Sequence, residues 1–358
     1  MMPKASRWFR LVQESGIFPK ERRDLFIFLL GWAHLTSISA TQILLFGLLC
    51  YVSFRMVKKD YALEIFPYTK YFILMIALIM ISALALGGLK DPIKKVLFWW
   101  IYLFFVGMFF LSYHDRGLIK KFLFFVALAA DGVALVGVYQ YLFTDLGRSL
   151  GFFSHQLTYA NVLAIVLCMI AAILFCRLYD NGIQFKFYCI SLALVAVGLS
   201  TAISRGPMLS ALITVLIILS LRHRKQGVAI CMVLLLFWLI SILAIPNFRE
   251  RYTQLFNDSW RNPETSVGVR VALWKASLDI IRDYPLLGIG QHNFEKVAFK
   301  YTHKQYHVMA HAHNSYLQFA LTNGLPAFLV LFLLLIKWMR DCIVYVVNKQ
   351  PYSLVGLS

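Results

Sequence analysis

Apolar residues run along this chain in long blocks, with short polar or basic stretches between them. The blocks show no two-residue alternation and are apolar on every side. Their length, roughly 17–25 residues, is what an α-helix needs to cross about 30 Å of hydrocarbon. Lipid offers backbone groups no partner, so a crossing segment is a helix or part of a closed barrel. Unbroken apolarity excludes the alternating barrel pattern. The pattern therefore predicts an all-α, polytopic transmembrane helical bundle.

Residues 25–57 are too long for one crossing, and Thr36, Ser37 and Ser39 interrupt them, which gives two short spans. Further spans are predicted at 68–88, 96–113, 118–143, 157–179, 185–203, 207–221 and 227–246. A polar segment, 247–312, precedes a last span at 314–337, making ten spans. The chain thus divides into an N-terminal transmembrane bundle (1–246), one large loop (247–312), and a C-terminal transmembrane helix with its tail (313–358).

Basic residues orient such a bundle, because Lys and Arg collect on the cytoplasmic side. With the N-terminus inside, the inner loops carry Arg55, Lys58 and Lys59; Arg116, Lys120 and Lys121; Arg177 and Lys186; and Arg222, Arg224 and Lys225. The tail adds Lys337, Arg340 and Lys349. The loop with Lys90, Lys94 and Lys95 runs against the rule, and nothing in the sequence explains it. The large loop then faces outward, into the periplasm of a Gram-negative cell. Within it Val267, Val271, Trp274, Leu278 and Ile281 recur at 4-3-4-3 spacing, predicting an amphipathic helix. It should stop near Pro285, with Gly288 and Gly290 in a turn. Such a helix would lie on the membrane, roof a cavity or pack on a partner helix.

Composition agrees with this picture: 60% of residues are hydrophobic, 15% charged, and the mean hydropathy is +0.70. The net charge of +18 fits cytoplasmic loops rather than nucleic acid, since no basic stripe interleaved with aromatics lies outside the apolar runs. The six cysteines (Cys50, Cys168, Cys176, Cys189, Cys231, Cys342) lie in or beside apolar runs, which indicates neither a disulfide framework nor a thiolate metal site. The basic, mixed N-terminal segment does not look like a cleavable signal peptide, so the first span is expected in the mature protein.

This topology brings three polar features to the outer side: the turn Ser204-Arg205-Gly206-Pro207, Arg270 on the loop helix, and His311-Ala312-His313-Asn314 before the last span. An outer arginine can snorkel to headgroups, but Gly206-Pro207 predicts a tight turn with Pro at a helix's first position. That turn would aim Arg205, and guanidinium suits bidentate phosphate binding. His303, His307 and His311 repeat at i, i+4, i+8, yet no carboxylate nearby completes a metal site. A solvated face explains them as well, and no metal is expected. His313, next to Asn314 and Tyr316 at the mouth of a span, could accept a hydroxyl proton near neutral pH. Asp131 lies mid-span, where a carboxyl either hydrogen-bonds within the bundle or takes part in the reaction. His155 and Gln156 also face outward, and His155 could line the same cavity or simply cap a helix.

Three stretches carry a family resemblance. Ser200-Thr201-Ala202-Ile203-Ser204-Arg205-Gly206, then Arg270-Val271-Ala272-Leu273-Trp274 with Tyr284-Pro285-Leu286-Leu287-Gly288-Ile289-Gly290, and His313-Asn314-Ser315-Tyr316-Leu317-Gln318 with Gly324-Leu325 are similar to signatures of the O-antigen ligase family. That family's relatives include O-antigen polymerases and protein O-oligosaccharyltransferases. The likeness covers roughly 151–335. It implies a bundle of about a dozen spans with a large periplasmic loop, so this chain reads as a short or truncated member. It also implies an inner-membrane, metal- and cofactor-independent glycosyltransferase. The donor would be a glycan on undecaprenyl pyrophosphate and the acceptor a hydroxyl of lipid A–core. Arg205 and Arg270 would hold the pyrophosphate, and His313 would deprotonate or position the acceptor hydroxyl. Asn314, Gln318, Tyr316, Trp274 and His155 would contact substrate, with Asn314 and Gln318 orienting either the histidine or the sugar. Other readings remain: a polymerase or protein glycosyltransferase with the same donor, or, without catalysis, a transporter or flippase for a lipid-linked sugar. The loop carries nine Lys/Arg against six Asp/Glu, which suits a polyanionic donor.

Overall fold

The computed structural model describes residues 68–86, 116–144, 146–222, 265–302 and 310–347, with isolated positions at 29, 32, 232, 235, 236, 239, 240, 243 and 249. Apart from those isolated positions, the spans expected at 25–57, 96–113 and 227–246 lie outside the described residues, as do His303 and His307. The described residues hold nine helices and no strand. These are α1 (Thr69–Ala85), α2 (Arg116–Phe143), α3 (Gln156–Cys176), α4 (Gly182–Thr201), α5 (Arg205–Arg222), α6 (Ser266–Asp283), α7 (Phe294–Thr302), α8 (Ser315–Asn323) and α9 (Leu325–Val347). Among the described residues three helices are long and apolar enough to cross a membrane: Ile119–Phe143, Gln156–Cys176 and Gly182–Thr201. Thr69–Ala85 and Arg205–Ile217 are shorter apolar helices.

Two compact units are each assembled from separated stretches of chain. The first takes Met1–Val57, Tyr113–Tyr252 and Cys342–Ser358. Its helices stop and start where local chemistry tells them to. Arg177 ends α3 in the left-handed region (φ 53°), with Leu178 N–H donating to Ile173 O at 3.0 Å and Arg177 N–H to Leu174 O at 3.3 Å. This is the two-bond C-terminal cap usually built around glycine. Asn181 then caps α4, its side chain accepting from Gln184 N–H at 2.9 Å.

Small residues let these helices approach. A Cβ on Gly198 of α4 would lie 2.6 Å from Ala134 Cβ on α2, and one on Gly137 would overlap the Tyr159 ring. The space at Gly137 admits Tyr159 of α3, fully buried, whose hydroxyl donates to Gly198 O at 2.9 Å. Such close approach through small residues is how helices associate without a hydrophobic difference from lipid. Asp131, the mid-span carboxyl, accepts from Ser191 Oγ of α4 at 2.7 Å, so it serves as a helix-to-helix hydrogen bond.

Successive helices of this unit run in alternating directions. At one end Lys120 pairs with Asp180 of the α3–α4 connection. Arg116, Lys121, Arg177, Lys186 and Arg222 belong to the helix ends and connections of that same end. The opposite end is made by residues 144–155 and by the turn 202–204.

The second unit takes Lys58–Ser112 and Thr253–Asp341. Helix α6 forms where the sequence places it, capped by Thr265, whose hydroxyl accepts from Gly268 N–H at 3.0 Å. The stripe expected from the sequence does not make its packing alone. Leu273, Ala276, Ser277 and Ile280 are buried, with Leu273 and Ile280 in a small core shared with Ile289, Phe294, Ala298, Ala312 and Leu321. Of the expected stripe, Ile281 packs partly buried against this core, while Trp274 is 38% exposed and Leu278 57%. Ala276 and Ser277 cover little area, so hydrophobicity alone favoured the bulkier stripe, while small residues set the close-packed face.

The last span is also corrected. In place of one helix over 314–337, α8 stops at Asn323 and α9 begins at Leu325. Gly324 between them has φ 84° and ψ 162°, a backbone conformation essentially reserved for glycine. The break is filled by the turn after α6. Ile289 N–H donates to Leu321 O at 2.8 Å, Gly290 N–H to Thr322 O at 3.1 Å, and Leu325 N–H to Pro285 O at 2.7 Å. The first two satisfy carbonyls that the end of α8 leaves without intrahelical partners. Gly288 has φ 68°, and a Cβ there would sit 2.5 Å from Leu321 O. Helix α1 joins the same place, Ser82 Oγ donating to Leu287 O at 2.5 Å. The glycine turn seen in the sequence is thus a backbone clasp between α6 and α8.

Candidate functional site

In the first unit, the end opposite Lys120 and Asp180 is a fixed loop. Gln140, near the end of α2, accepts from Leu150 N–H at 2.9 Å and Gly151 N–H at 2.8 Å and donates to Gly151 O at 2.9 Å. Ser149 is fully buried, with Oγ donating to Gly137 O at 2.5 Å and N–H to Thr201 O at 3.1 Å. The last bond ties the loop to the end of α4, immediately before the turn that carries Arg205. Gly151 (φ 58°) lies against the Tyr159 ring, where a Cβ would come within 2.6 Å of Cδ2.

Arg205 is the first residue of α5 and is half-buried. Ile203, just before it, is buried with φ 49°, so the turn is tight, as the sequence implied. Pro207 sits at the third helical position rather than the first. Its missing N–H still falls among the first-turn donors that a helix cannot use. His155 is exposed and caps α3, its Nδ1 accepting from Leu157 N–H at 3.1 Å. Nε2 is then the ring atom left to meet anything else. Sequence reasoning passed over Arg148, a half-buried residue of the same loop that donates to Gln156 Oε1 at 3.3 Å. The available signal was an arginine between Gly147 and Gly151 directly after an apolar run.

In the second unit, His313 is half-buried and held in the left-handed region (φ 50°), uncommon for a residue with a Cβ. Its neighbours account for that. Asn314 caps α8, its Oδ1 accepting from Tyr316 N–H at 3.0 Å and Leu317 N–H at 3.2 Å. Gln318, one turn along, accepts from Ala312 N–H at 2.8 Å and donates to Thr322 Oγ1 at 3.1 Å. Ala312 is fully buried. His313 is therefore gripped from both sides, by its buried neighbour and by the helix cap. Its ring meets His311 edge to face, with centroids 4.2 Å apart and planes at 85°. His311 belongs to no helix, so the i, i+4, i+8 face expected for the histidines does not extend to it.

Arg270 is exposed on α6, four residues before Trp274. Tyr316 is 58% exposed in the first turn of α8. Val269 and Ala312, the neighbours of Arg270 and His313, both pack in the core that joins α6 to α8. Tyr301 braces this core from α7, donating to Asp283 Oδ2 at 2.6 Å. The carboxylate holds that proton on the phenol, raising its pKa to about 12, and desolvation acts in the same direction. Among the described residues no cluster of three His, Cys, Asp or Glu has the arrangement to hold a metal ion. The structure thus places Arg205 and His155 at one end of the first unit. Arg270, Trp274, His313, Asn314, Tyr316 and Gln318 lie in the second.

Comparison with known families identifies the segment that carries these features. Residues 190–332 match the family model described as O-antigen ligase. The match covers less than half of the chain, but it contains α5 with Arg205, α6 with Arg270 and α8 with His313. The resemblance read from the sequence holds over that segment. Among curated proteins, none matches the chain.

Proposed function

Starting from the O-antigen ligase domain at residues 190–332, we propose that this protein transfers a glycan from undecaprenyl pyrophosphate to lipid A–core at the periplasmic face of the inner membrane. The observation that carries this reading is the setting of His313. It follows a buried anchor and precedes a helix cap, and Gln318 ties the two together. Chemistry that needs one imidazole in one place justifies such a grip, because a misplaced base loses its hydrogen-bonding reach.

In the proposed reaction the acceptor hydroxyl attacks the anomeric carbon of the donor sugar. A new C–O bond forms as the bond from that carbon to the phosphate oxygen breaks. His313 takes the hydroxyl proton, and the pyrophosphate leaves with the bonding electrons. Arg205 and Arg270 stabilise the charge that collects on it; charged donors aimed at developing charge are commonly the largest catalytic term. Asn314 and Gln318 position His313 through the backbone. Tyr316, Trp274 and the Nε2 edge of His155 are the groups assigned to sugar or lipid. Pyrophosphate is a good leaving group, so the step needs neither metal nor nucleotide.

Complementation tests this in cells lacking their own O-antigen ligase, with lipopolysaccharide resolved on a gel. Wild type should restore the ladder, and His313→Ala, Arg205→Ala and Arg270→Ala should each abolish it at equal membrane levels. A ladder that persists in His313→Ala removes the proposed base. A wild type that restores nothing but alters the length of lipid-linked polymer shifts the assignment to polymerase.

A further inference from the structure

We propose that Arg148 is a second guanidinium ligand for the donor's diphosphate, acting with Arg205 at the same end of the first unit; this rests on the donor class assigned above. Ser149, the next residue, donates its N–H to Thr201 O at 3.1 Å, and Arg205 follows Thr201 across one tight turn. That backbone bond ties together, at one end of the unit, the two segments that carry the arginines.

The bland alternative is an arginine that reaches for bilayer headgroups. The loop argues for more than that. Gln140 clamps Leu150 and Gly151, the fully buried Ser149 anchors to Gly137 and Thr201, and Gln156 Oε1 takes one hydrogen bond from the guanidinium at 3.3 Å. A headgroup contact needs none of this, whereas a guanidinium aimed at a fixed ligand loses less rotamer freedom if its backbone is already held. Gln156 uses a single donor of the planar fork. Among the described residues no carboxylate pairs with Arg148. The chemistry that matches is two neighbouring phosphates, because two guanidinium forks can each take one phosphate group. A lipid monophosphate would engage one fork and leave the other unused.

The same chemistry could come from anionic bilayer lipid, and the experiment separates the two. The full chain is placed in nanodiscs of neutral phosphatidylcholine, and binding of undecaprenyl pyrophosphate and undecaprenyl phosphate is titrated. Wild type should bind the diphosphate at least ten-fold more tightly. Arg148→Ala should bind it roughly ten-fold or more weakly and lose most of the preference over the monophosphate. Arg148→Lys should recover part of the loss, since it restores charge without the fork. Gln156→Ala, which keeps the guanidinium but removes its one hydrogen bond, should weaken diphosphate binding less than Arg148→Ala does. Thermal midpoints of all variants show that the loop remains folded. If Arg205→Ala loses diphosphate binding while Arg148→Ala binds like wild type, the role of Arg148 is overturned and the donor assignment stands. If wild type itself does not bind the diphosphate, both fall. A deficit in Arg148→Ala that appears only in discs containing phosphatidylglycerol assigns the residue to headgroups and overturns the proposal.

Discussion

Gln318 shows how much one side chain can carry in this molecule. Its carbonyl accepts from the backbone N–H of fully buried Ala312, and its amide nitrogen donates to Thr322. Removing it leaves a buried donor unsatisfied, a cost of about 1–3 kcal/mol. It also frees the residue that precedes His313 from α8. Gln318→Ala is expected to lower thermal stability modestly and transfer activity by at least ten-fold, with the loss in kcat rather than in KM. Gln318→Glu, which keeps the acceptor oxygens, should retain more activity. The check is transfer kinetics beside thermal unfolding of the same preparations. An Ala variant with full activity would show that the clamp does not position His313. The sequence put Asn314 and Gln318 beside the histidine but left open whether they touch it or the sugar. Their bonds run to backbone N–H groups, and side-chain-to-backbone pairing across a helix cap leaves little periodic trace.

At the scale of elements, the glycines decide what sits where. Long apolar runs made the existence of α1 to α5 and α9 plain, because length and hydropathy are summed over many residues. Faces and breaks were less legible. The α6 stripe was assigned by bulk, while the structure packs the face bearing Ala276 and Ser277. The final span was drawn through Gly324, because a lone glycine in an apolar run reads as tolerated until a second chain segment needs its place. The contact of α2 with α4 follows the same logic and can be tested as a pair. Gly198→Ala would put its methyl 2.6 Å from Ala134 Cβ and 2.9 Å from Ala134 Cα. It should destabilise the bundle by roughly 1–3 kcal/mol, the usual range for overpacking. Adding Ala134→Gly should recover part of that loss, since it removes the nearer clash and leaves the backbone one. Unfolding in detergent measures all three variants. Additive effects of the two substitutions would show that these helices do not meet at this point.

For the whole molecule, the sequence assigns a side to each polar feature, and that assignment rests on charge. The structure gives the charge argument a spatial form within the first unit. Lys120, Lys121, Arg177, Lys186 and Arg222 belong to one end, while Arg148 and Arg205 belong to the other. The positive-inside rule would make the first of these ends cytoplasmic, and an anionic outer ligand would account for two arginines at the other. The consequence is a labelling pattern. With the native cysteines replaced, Ser154→Cys in the arginine-bearing loop should react with a membrane-impermeant maleimide in intact spheroplasts. Lys186→Cys near the start of α4 should react only after lysis. Both positions are exposed, so accessibility within the fold does not decide the result. Lys275→Cys, exposed on α6, reports on the second unit by itself and should label from outside, as a periplasmic Arg270 requires. Reversal of the first pair would place Arg148 and Arg205 in the cytoplasm, where a donor presented at the outer leaflet could not reach them. Failure of Lys275→Cys alone would separate Arg270 from the outer face and leave the assignment of the first unit intact. Outside labelling at 154 with protection at 186 puts the arginine-bearing end of the first unit on the side where an outer-leaflet donor is presented, and outside labelling at 275 does so independently for α6.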